Sequence, residues 1–171
     1  RQGDGVGRMS TVDPDRFRGA MRRVASGVTV VTSDGAHGRV GVTVSSLCSL
    51  SLEPPSVLFC LHRDNRCLPA LTANGVFAAN ILAQGQQRVA SSFAGLIPEL
   101  REDRFAAGEW GTLATGSPYL SGALCCFDCR LADVFDFGSH RIIAGEVVAV
   151  EIGGEDPLLY SNGDYRRLEV A

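Results

Sequence analysis

Residues 38–61, GRVGVTVSSLCSLSLEPPSVLFCL, decide how this chain is read. A strand rich in β-branched residues carries a run of small hydroxyls: Thr43, Ser45, Ser46, Ser49 and Ser51. A Pro-Pro stop at 54–55 follows, and then a second apolar strand. Alternate side chains of a strand point to opposite faces. An unbroken strand would therefore set Thr43, Ser45, Leu47 and Ser49 on one face and Val42, Val44, Ser46 and Cys48 on the other. Small polar groups along a strand let a flat, polar-edged ligand approach the backbone. An edge strand with its hydroxyls in water has the same composition.

Working outward from this run, Asp13-Pro14 predicts a helix start, with an N-cap acceptor followed by proline at the first helical position. Phe17, Ala20, Met21 and Val24 form an apolar stripe at i, i+3, i+4 and i+7, and Gly27 ends the pattern. VTVVTS (28–33), a turn at Asp34-Gly35 and the 38–49 run read as a hairpin, with SVLFCLH (56–62) as a third strand. Residues 65–74 read as a short helix or turn, VFAANIL (76–82) as a fourth strand, and GQQRVASSFAG (85–95) as helical. Residues 95–118 are interrupted by Gly and Pro and predict a long excursion carrying Phe105 and Trp110. Two long strands, 121–135 and 140–152, precede a tail, LLYSNGDYRRL. Strands dominate without regular βαβ alternation, so the expected fold is mostly β: an antiparallel barrel of Greek-key character with a few helices at connections.

The chain has 171 residues, the size of one domain, which is expected over 13–171 with residues 1–12 as a flexible arm or a leftover of expression. The net charge of −3 gives no basic field for nucleic acid or anionic lipid. Arg16, Arg18, Arg22 and Arg23 read as the solvated face of the first helix. No apolar run reaches the ~18 residues of a membrane span. Cys126 and Cys129 have CxxC spacing but fall on a strand, where positions an odd number apart face opposite sides. The apolar face is then Cys125, Phe127, Cys129 and Leu131. No second pair completes a zinc site, so no metal is expected, and six cysteines used as small core residues suit a reducing cytoplasm. Phosphate loops, a nucleophile elbow and a zinc-protease motif are all missing, and there are three histidines, His37, His62 and His140. So sparse a set of functional groups suits an enzyme whose chemistry resides in a bound cofactor.

The segments SGVTVVTS (26–33), GVTVSSLCSLSLEPPSVLFCL (41–61), FAANIL (77–82), SPYLSGAL (117–124) and HRIIAGEVV (140–148) occur in an order that resembles the short-chain flavin reductases. These are the small components that supply reduced flavin to two-component monooxygenases. The resemblance spans roughly residues 13–168. It implies the split β-barrel fold of FMN-binding type, a homodimer with flavin near the subunit interface, and NAD(P)H-dependent reduction of FMN or FAD. Reduced flavin would reach a partner monooxygenase by diffusion. Nothing in the residues separates FMN from FAD, or NADH from NADPH.

By the same resemblance, Arg39, Val40, Gly41, Val42, Thr43, Ser45 and Ser46 line the isoalloxazine and ribityl groups. Cys60, Leu61, His62, Asn65, Arg66 and Cys67 hold the ribityl chain and phosphate, with Arg66 as the phosphate partner. Ser92 and Phe93 match a further contact near the phosphate or adenylate. His140 stands where the family places a histidine beside the nicotinamide. The family usually reads Gly-Asp-His there, whereas this chain reads Gly138-Ser139-His140. Tyr160 and Tyr165 either close over the same site or serve as dimer contacts. The alternative reading is a non-catalytic flavin-binding or electron-carrier protein on the same fold.

Overall fold

The computed structural model describes residues 11–154 and 156–169. Residues 1–10 of the expected N-terminal arm lie outside the described residues, while Thr11 and Val12 are exposed and belong to no helix or strand. The helices are α1 (Pro14–Met21), α2 (Leu68–Asn74) and α3 (Gln87–Phe93). The strands are β1 (Ser26–Gly27), β2 (Thr29–Ser33), β3 (Val40–Val44), β4 (Cys48–Leu52), β5 (Pro55–His62) and β6 (Val76–Ile81). They continue as β7 (Trp110–Thr112), β8 (Pro118–Leu120), β9 (Cys125–Phe137), β10 (His140–Ile152), β11 (Leu159–Ser161) and β12 (Asp164–Arg166).

Seven strands form one antiparallel sheet in the order β3-β2-β6-β9-β10-β5-β4. The two edge strands, β3 and β4, are consecutive in sequence and joined only by residues 45–47. Laid flat, seven strands at ~4.8 Å spacing would hold those edges roughly 29 Å apart. The connection can span only about 14 Å. The sheet must therefore curl, and that short link is what makes it a barrel. Ser46 sits at the seam: the Cys60 amide donates to its hydroxyl oxygen at 2.9 Å, and the hydroxyl reaches the Cys60 carbonyl at 3.3 Å. Curvature is helped by irregular register in the β9–β10 pair between Ala144 and Gly145 and between Val147 and Ala149. At Gly145 a Cβ would lie 2.3 Å from the Phe77 ring, so the ring packs directly on the backbone there.

This overturns the reading of 38–51 as one unbroken strand. The hydroxyl run breaks at Ser45–Leu47, so its two halves lie on opposite edges and the simple two-face assignment fails. A second correction concerns α1, which stops at Met21, six residues before Gly27. Gly27 instead pairs with Leu159 in a small sheet ordered β1-β11-β12. The Asp13 cap and Pro14 stand as expected, with the Asp13 carboxylate accepting the Arg16 amide at 3.1 Å. The apolar stripe does not reach the core: Phe17, Met21 and Val24 are all exposed.

Two apolar clusters fill the molecule. The inner one lies within the barrel and includes Val31, Phe59, Phe77, Cys129 and Ile143. Phe59 and Phe77 meet edge to face with centroids 5.2 Å apart. The outer one packs α3 against the barrel wall through Val30, Leu82, Val89, Phe93 and Leu120. Strands β2, β6 and the first half of β9 are sandwiched between them, and every residue of β2 is buried. That explains a further correction on β9. Phe127, Cys129 and Leu131 do face the inner cluster, yet Cys126 and Asp128, on the side expected to face out, are fully buried. Segment 113–120 covers them, with the Thr115 amide donating to the Asp128 carboxylate at 2.8 Å.

Candidate functional site

Three overlapping cavities run along β3. The first, about 350 Å³, is lined by Val42, Thr43, Ser45, Ser46, Cys60, Leu61, His62, Asn65 and His140, among others. The second, about 370 Å³, shares Val42, Thr43 and Asn65 with it and adds Arg66, Cys67, Phe93 and Arg104. The third, about 450 Å³, shares Arg66, Cys67, Phe93 and Arg104 with the second and reaches Arg39, Val40, Gly41, Arg101 and Phe105. Shared walls make these one groove, with a histidine mouth at one end and guanidinium groups at the other.

The histidine mouth is built by strand register. β5 and β10 pair so that His62 and His140 face each other directly, with rings edge to face and centroids 5.3 Å apart. The Asp64 amide donates to His62 Nδ1 at 3.2 Å, so a neutral His62 carries its proton on Nε2. The Ser139 hydroxyl lies 2.9 Å from His140 Nδ1. A hydrogen-bonding partner thus remains beside His140 even though the residue before it is not acidic.

The middle of the groove is dominated by backbone and small groups. The Thr43 hydroxyl donates to the Ala90 carbonyl at 2.7 Å, tying β3 to α3. Gly41 has no room for a side chain, since a Cβ would stand 2.5 Å from the Phe93 ring. That close approach brings Phe93 flush with the strand and forms one wall. The Cys67 thiol donates to the Gly41 carbonyl at 3.1 Å, and burial pushes its pKa up, keeping it protonated. The Asn65 side-chain Oδ1 accepts the Cys67 amide at 2.9 Å and fixes the turn that presents Arg66.

At the cationic end, Arg39 lies over the Phe105 ring, 3.9 Å from its centroid. Phe105, Phe93 and Trp110 stack edge to face around that ring, and the Trp110 indole N–H donates to the Phe105 carbonyl at 2.8 Å. Arg104 donates to the Phe93 carbonyl at 3.3 Å.

The structure brings together most residues expected from the sequence, with some differences in role. Leu61 is buried in the inner cluster, so only its backbone is available to the groove. Ser92 is buried and its hydroxyl donates to the Arg104 carbonyl at 3.0 Å, which positions Arg104 rather than facing a ligand. Tyr160 and Tyr165 pair across β11–β12 and line a cavity of about 160 Å³ that shares Thr43, Val44 and Ser45 with the histidine mouth. The Tyr165 and Ser91 hydroxyls are 3.0 Å apart. Sequence reasoning missed Arg101, Arg104 and Phe105. The signal was the dense ELREDRF run at 99–105, but its distance along the chain from β3 concealed that it folds back over the groove.

The donor set fits a flavin nucleotide: backbone amides and hydroxyls along β3 for a polar-edged ring and ribityl chain, and guanidinium groups for phosphate. Comparison with known proteins agrees. The family described as flavin reductase-like domain matches residues 21–169. An FMN reductase (NADH), RutF 2, of Methylorubrum extorquens strain PA1 is 43% identical over 158 residues, covering 92% of this chain and 91% of that protein. Among solved structures, the NADH:FAD oxidoreductase SgcE6 of Streptomyces globisporus C-1027 superposes with a TM-score of 0.83 at 34% identity, covering 95% of this chain and 99% of that one. BorF, the flavin reductase component of a bacterial two-component tryptophan halogenase, gives 0.81 at 34% identity, covering 93% and 100%.

Proposed function

The chain belongs to the flavin reductase-like domain family and is an NAD(P)H:flavin oxidoreductase of split-barrel fold, and on that premise we propose how its own residues carry the reaction. The observation that carries the reading is the continuous groove with His62 and His140 at one end and Arg66 farther along it, where the middle and far cavities meet. The backbone of residues 39–43 with Ser45 and Ser46 holds the ring and ribityl portion, and Asn65, Arg66 and Cys67 hold the phosphate. When bound, the flavin supplies the redox chemistry by accepting hydride from the reduced nicotinamide. Hydride transfer needs no protein acid at the transferred atom. It needs donor and acceptor held roughly 3–3.5 Å apart and aligned. His140 is therefore a positioning residue for the nicotinamide, its ring oriented by Ser139 and buttressed by His62.

The alternative of a non-catalytic carrier falls away because close relatives are enzymes with this activity. We further read NADH as the donor and FMN as a flavin substrate, from the relatives' activities. Reduced flavin would pass to a separate flavin-dependent oxygenase, as the kinship with BorF supports. The exposed stripe Phe17, Met21 and Val24 overhangs Ser45 and Ser46 and supports a homodimer that covers the groove's edge. Six unpaired thiols support a reducing, cytoplasmic setting. Among the described residues no helix is long and apolar enough to cross a membrane.

The test is anaerobic stopped-flow reduction of FMN by NADH with wild type and His140→Ala. The variant is expected to raise KM for NADH by about three- to tenfold, the loss of one or two modest contacts, with a smaller fall in kcat. An unchanged KM for NADH would overturn the assignment of His140.

A further inference from the structure

The loop that follows β5 faces two ways. The Asn65 amide donates to the His62 carbonyl at 2.9 Å, and the Leu68 amide to the Asn65 carbonyl at 3.1 Å. Residues 62–68 are thus two successive closed turns that lead into α2. The second turn presents Arg66 to the groove. The first presents Arg63 to the tip of the β9–β10 hairpin. There the Arg63 amide donates to the Ser139 carbonyl at 3.0 Å, and its guanidinium donates to the Gly138 carbonyl. Gly138 and Ser139 are the whole connection between Phe137 and His140, which pair directly. Gly138 has a φ of +56°, the left-handed conformation that a two-residue hairpin turn needs at its first position. Arg63 therefore grips both carbonyls of the turn that ends on His140. Among the described residues it forms no ion pair, which leaves its guanidinium committed to the hairpin. It lines none of the three groove cavities, so it reaches the site only through this grip.

We propose that Arg63 is a positioning residue that couples the flavin-phosphate loop to His140, so that phosphate at Arg66 and nicotinamide at His140 favour each other's binding. The proposal rests on the flavin reading of the groove. Its physical ground is that one short, internally hydrogen-bonded loop carries both contacts. A phosphate held by Arg66 restricts that loop, and the restriction passes to the hairpin turn through the two Arg63 hydrogen bonds. His140 is the first residue after the turn, and its Nδ1 lies 2.9 Å from the hydroxyl of Ser139, whose carbonyl Arg63 holds. His62 opens the same loop and packs edge to face on the His140 ring. Both rings of the histidine mouth thus take their place from one loop. Ordering completed by the first ligand is not repeated for the second, so the second binds more tightly. Coupling of this kind is a binding free energy shared by two sites, and each ligand improves the other's affinity by the same factor.

FMN and riboflavin differ only by the phosphate, which makes them the probes. The full chain is saturated with one or the other, and the Kd for NADH is read from the NADH dependence of the anaerobic reduction rate. Wild type, Arg63→Ala and Arg63→Lys are compared; the side chain is exposed, so neither change threatens folding. Wild type is expected to bind NADH about three- to fivefold more tightly with FMN than with riboflavin, the worth of one modest hydrogen bond. Arg63→Ala is expected to abolish that difference by weakening NADH binding in the FMN complex alone. Its FMN affinity without NADH and its urea midpoint should stay at the wild-type values. Arg63→Lys keeps a cationic donor and should restore part of the difference. Equal NADH affinity with the two flavins in wild type would overturn the coupling. So would an Arg63→Ala variant that weakens NADH equally with both, because Arg63 would then support His140 independently of the phosphate. An unchanged difference in Arg63→Ala would remove Arg63 from the site altogether. Failure of wild type to bind FMN, seen as no quenching of flavin fluorescence, would instead sink the flavin reading on which the proposal stands.

Discussion

The inner and outer apolar clusters lie on opposite faces of the same strands but differ in where their residues come from. The inner cluster is built mainly from alternating strand positions: Val31 on β2, Val42 and Val44 on β3, Val57, Phe59 and Leu61 on β5, Phe77 and Ala79 on β6. The outer cluster mixes strand residues with α3 and with the covering segment around Leu120, and Phe105 and Trp110 pack on it from the side. The inner cluster closes the barrel. The outer cluster makes a wall of the groove, because Phe93 belongs to it and faces Gly41. Stability and function are thus separated to a useful degree on the two sides of one sheet.

Substitutions on each side can break or sharpen that separation. The largest effect is expected from Phe59→Ala in the fully buried inner cluster, a loss of about 3–5 kcal/mol of stability, read from the denaturant midpoint. If flavin affinity in the still-folded fraction fell as steeply, the clusters would not be separable. Gly41→Ala is next. Its new methyl meets the Phe93 ring, so either the ring or β3 must shift, at about 1–3 kcal/mol. Flavin affinity is expected to fall at least tenfold, a loss out of proportion to the stability change. A variant that binds FMN normally would show that Phe93 is no part of the wall.

The smallest effect concerns pH. Cys126, between the barrel wall and its covering segment, has its thiol pushed up to about 12 by burial, with Asp128 beside it adding to the shift. The folded state therefore holds this proton more tightly than the unfolded chain. Its contribution to stability is complete below the ordinary thiol pKa of 9.0 and is lost as pH rises from there towards 12. Urea unfolding at increasing alkaline pH should show stability falling over that window for wild type, and less steeply for Cys126→Ala. An identical slope in both would place the titration elsewhere. Burial should also shield Cys126 and Cys129 from thiol reagents while exposed Cys48 reacts first.

Much of this fold was legible because strand periodicity and turn chemistry are local. The β2–β3 hairpin, β5, β6, α3 and the long β9–β10 pair all lie close to where alternation and Gly/Pro punctuation put them. The misreadings came where a local pattern has two tertiary outcomes. The α1 stripe has the spacing of a core-facing helix, yet among the described residues it stays exposed. On β9, alternation named the inner face correctly but could not reveal that a distant segment buries the other face as well. The hydroxyl run after Thr43 looked continuous because Ser and Leu at 45–47 carry no strong break signal; the bend comes from the need to reach β5.

The groove divides the same way. Its β3 wall, His62, Arg66 and His140 were named only through the resemblance to the flavin reductases, since a hydroxyl-rich edge strand, a turn arginine and a strand-end histidine carry no ligand signal by themselves. By itself the sequence determined a β-rich chain and much of its antiparallel pairing, since these follow from side-chain alternation and local backbone preference; the polar strand as a ligand wall came only from the resemblance to the flavin reductases. Only the tertiary structure decided that β3 and β4 are edges of one curled sheet, that β5–β10 register sets two histidines face to face, and that residues 99–105 fold back to add arginines to the groove. Those features depend on long-range closure of the chain, where the free energy of packing, rather than any local propensity, selects the arrangement.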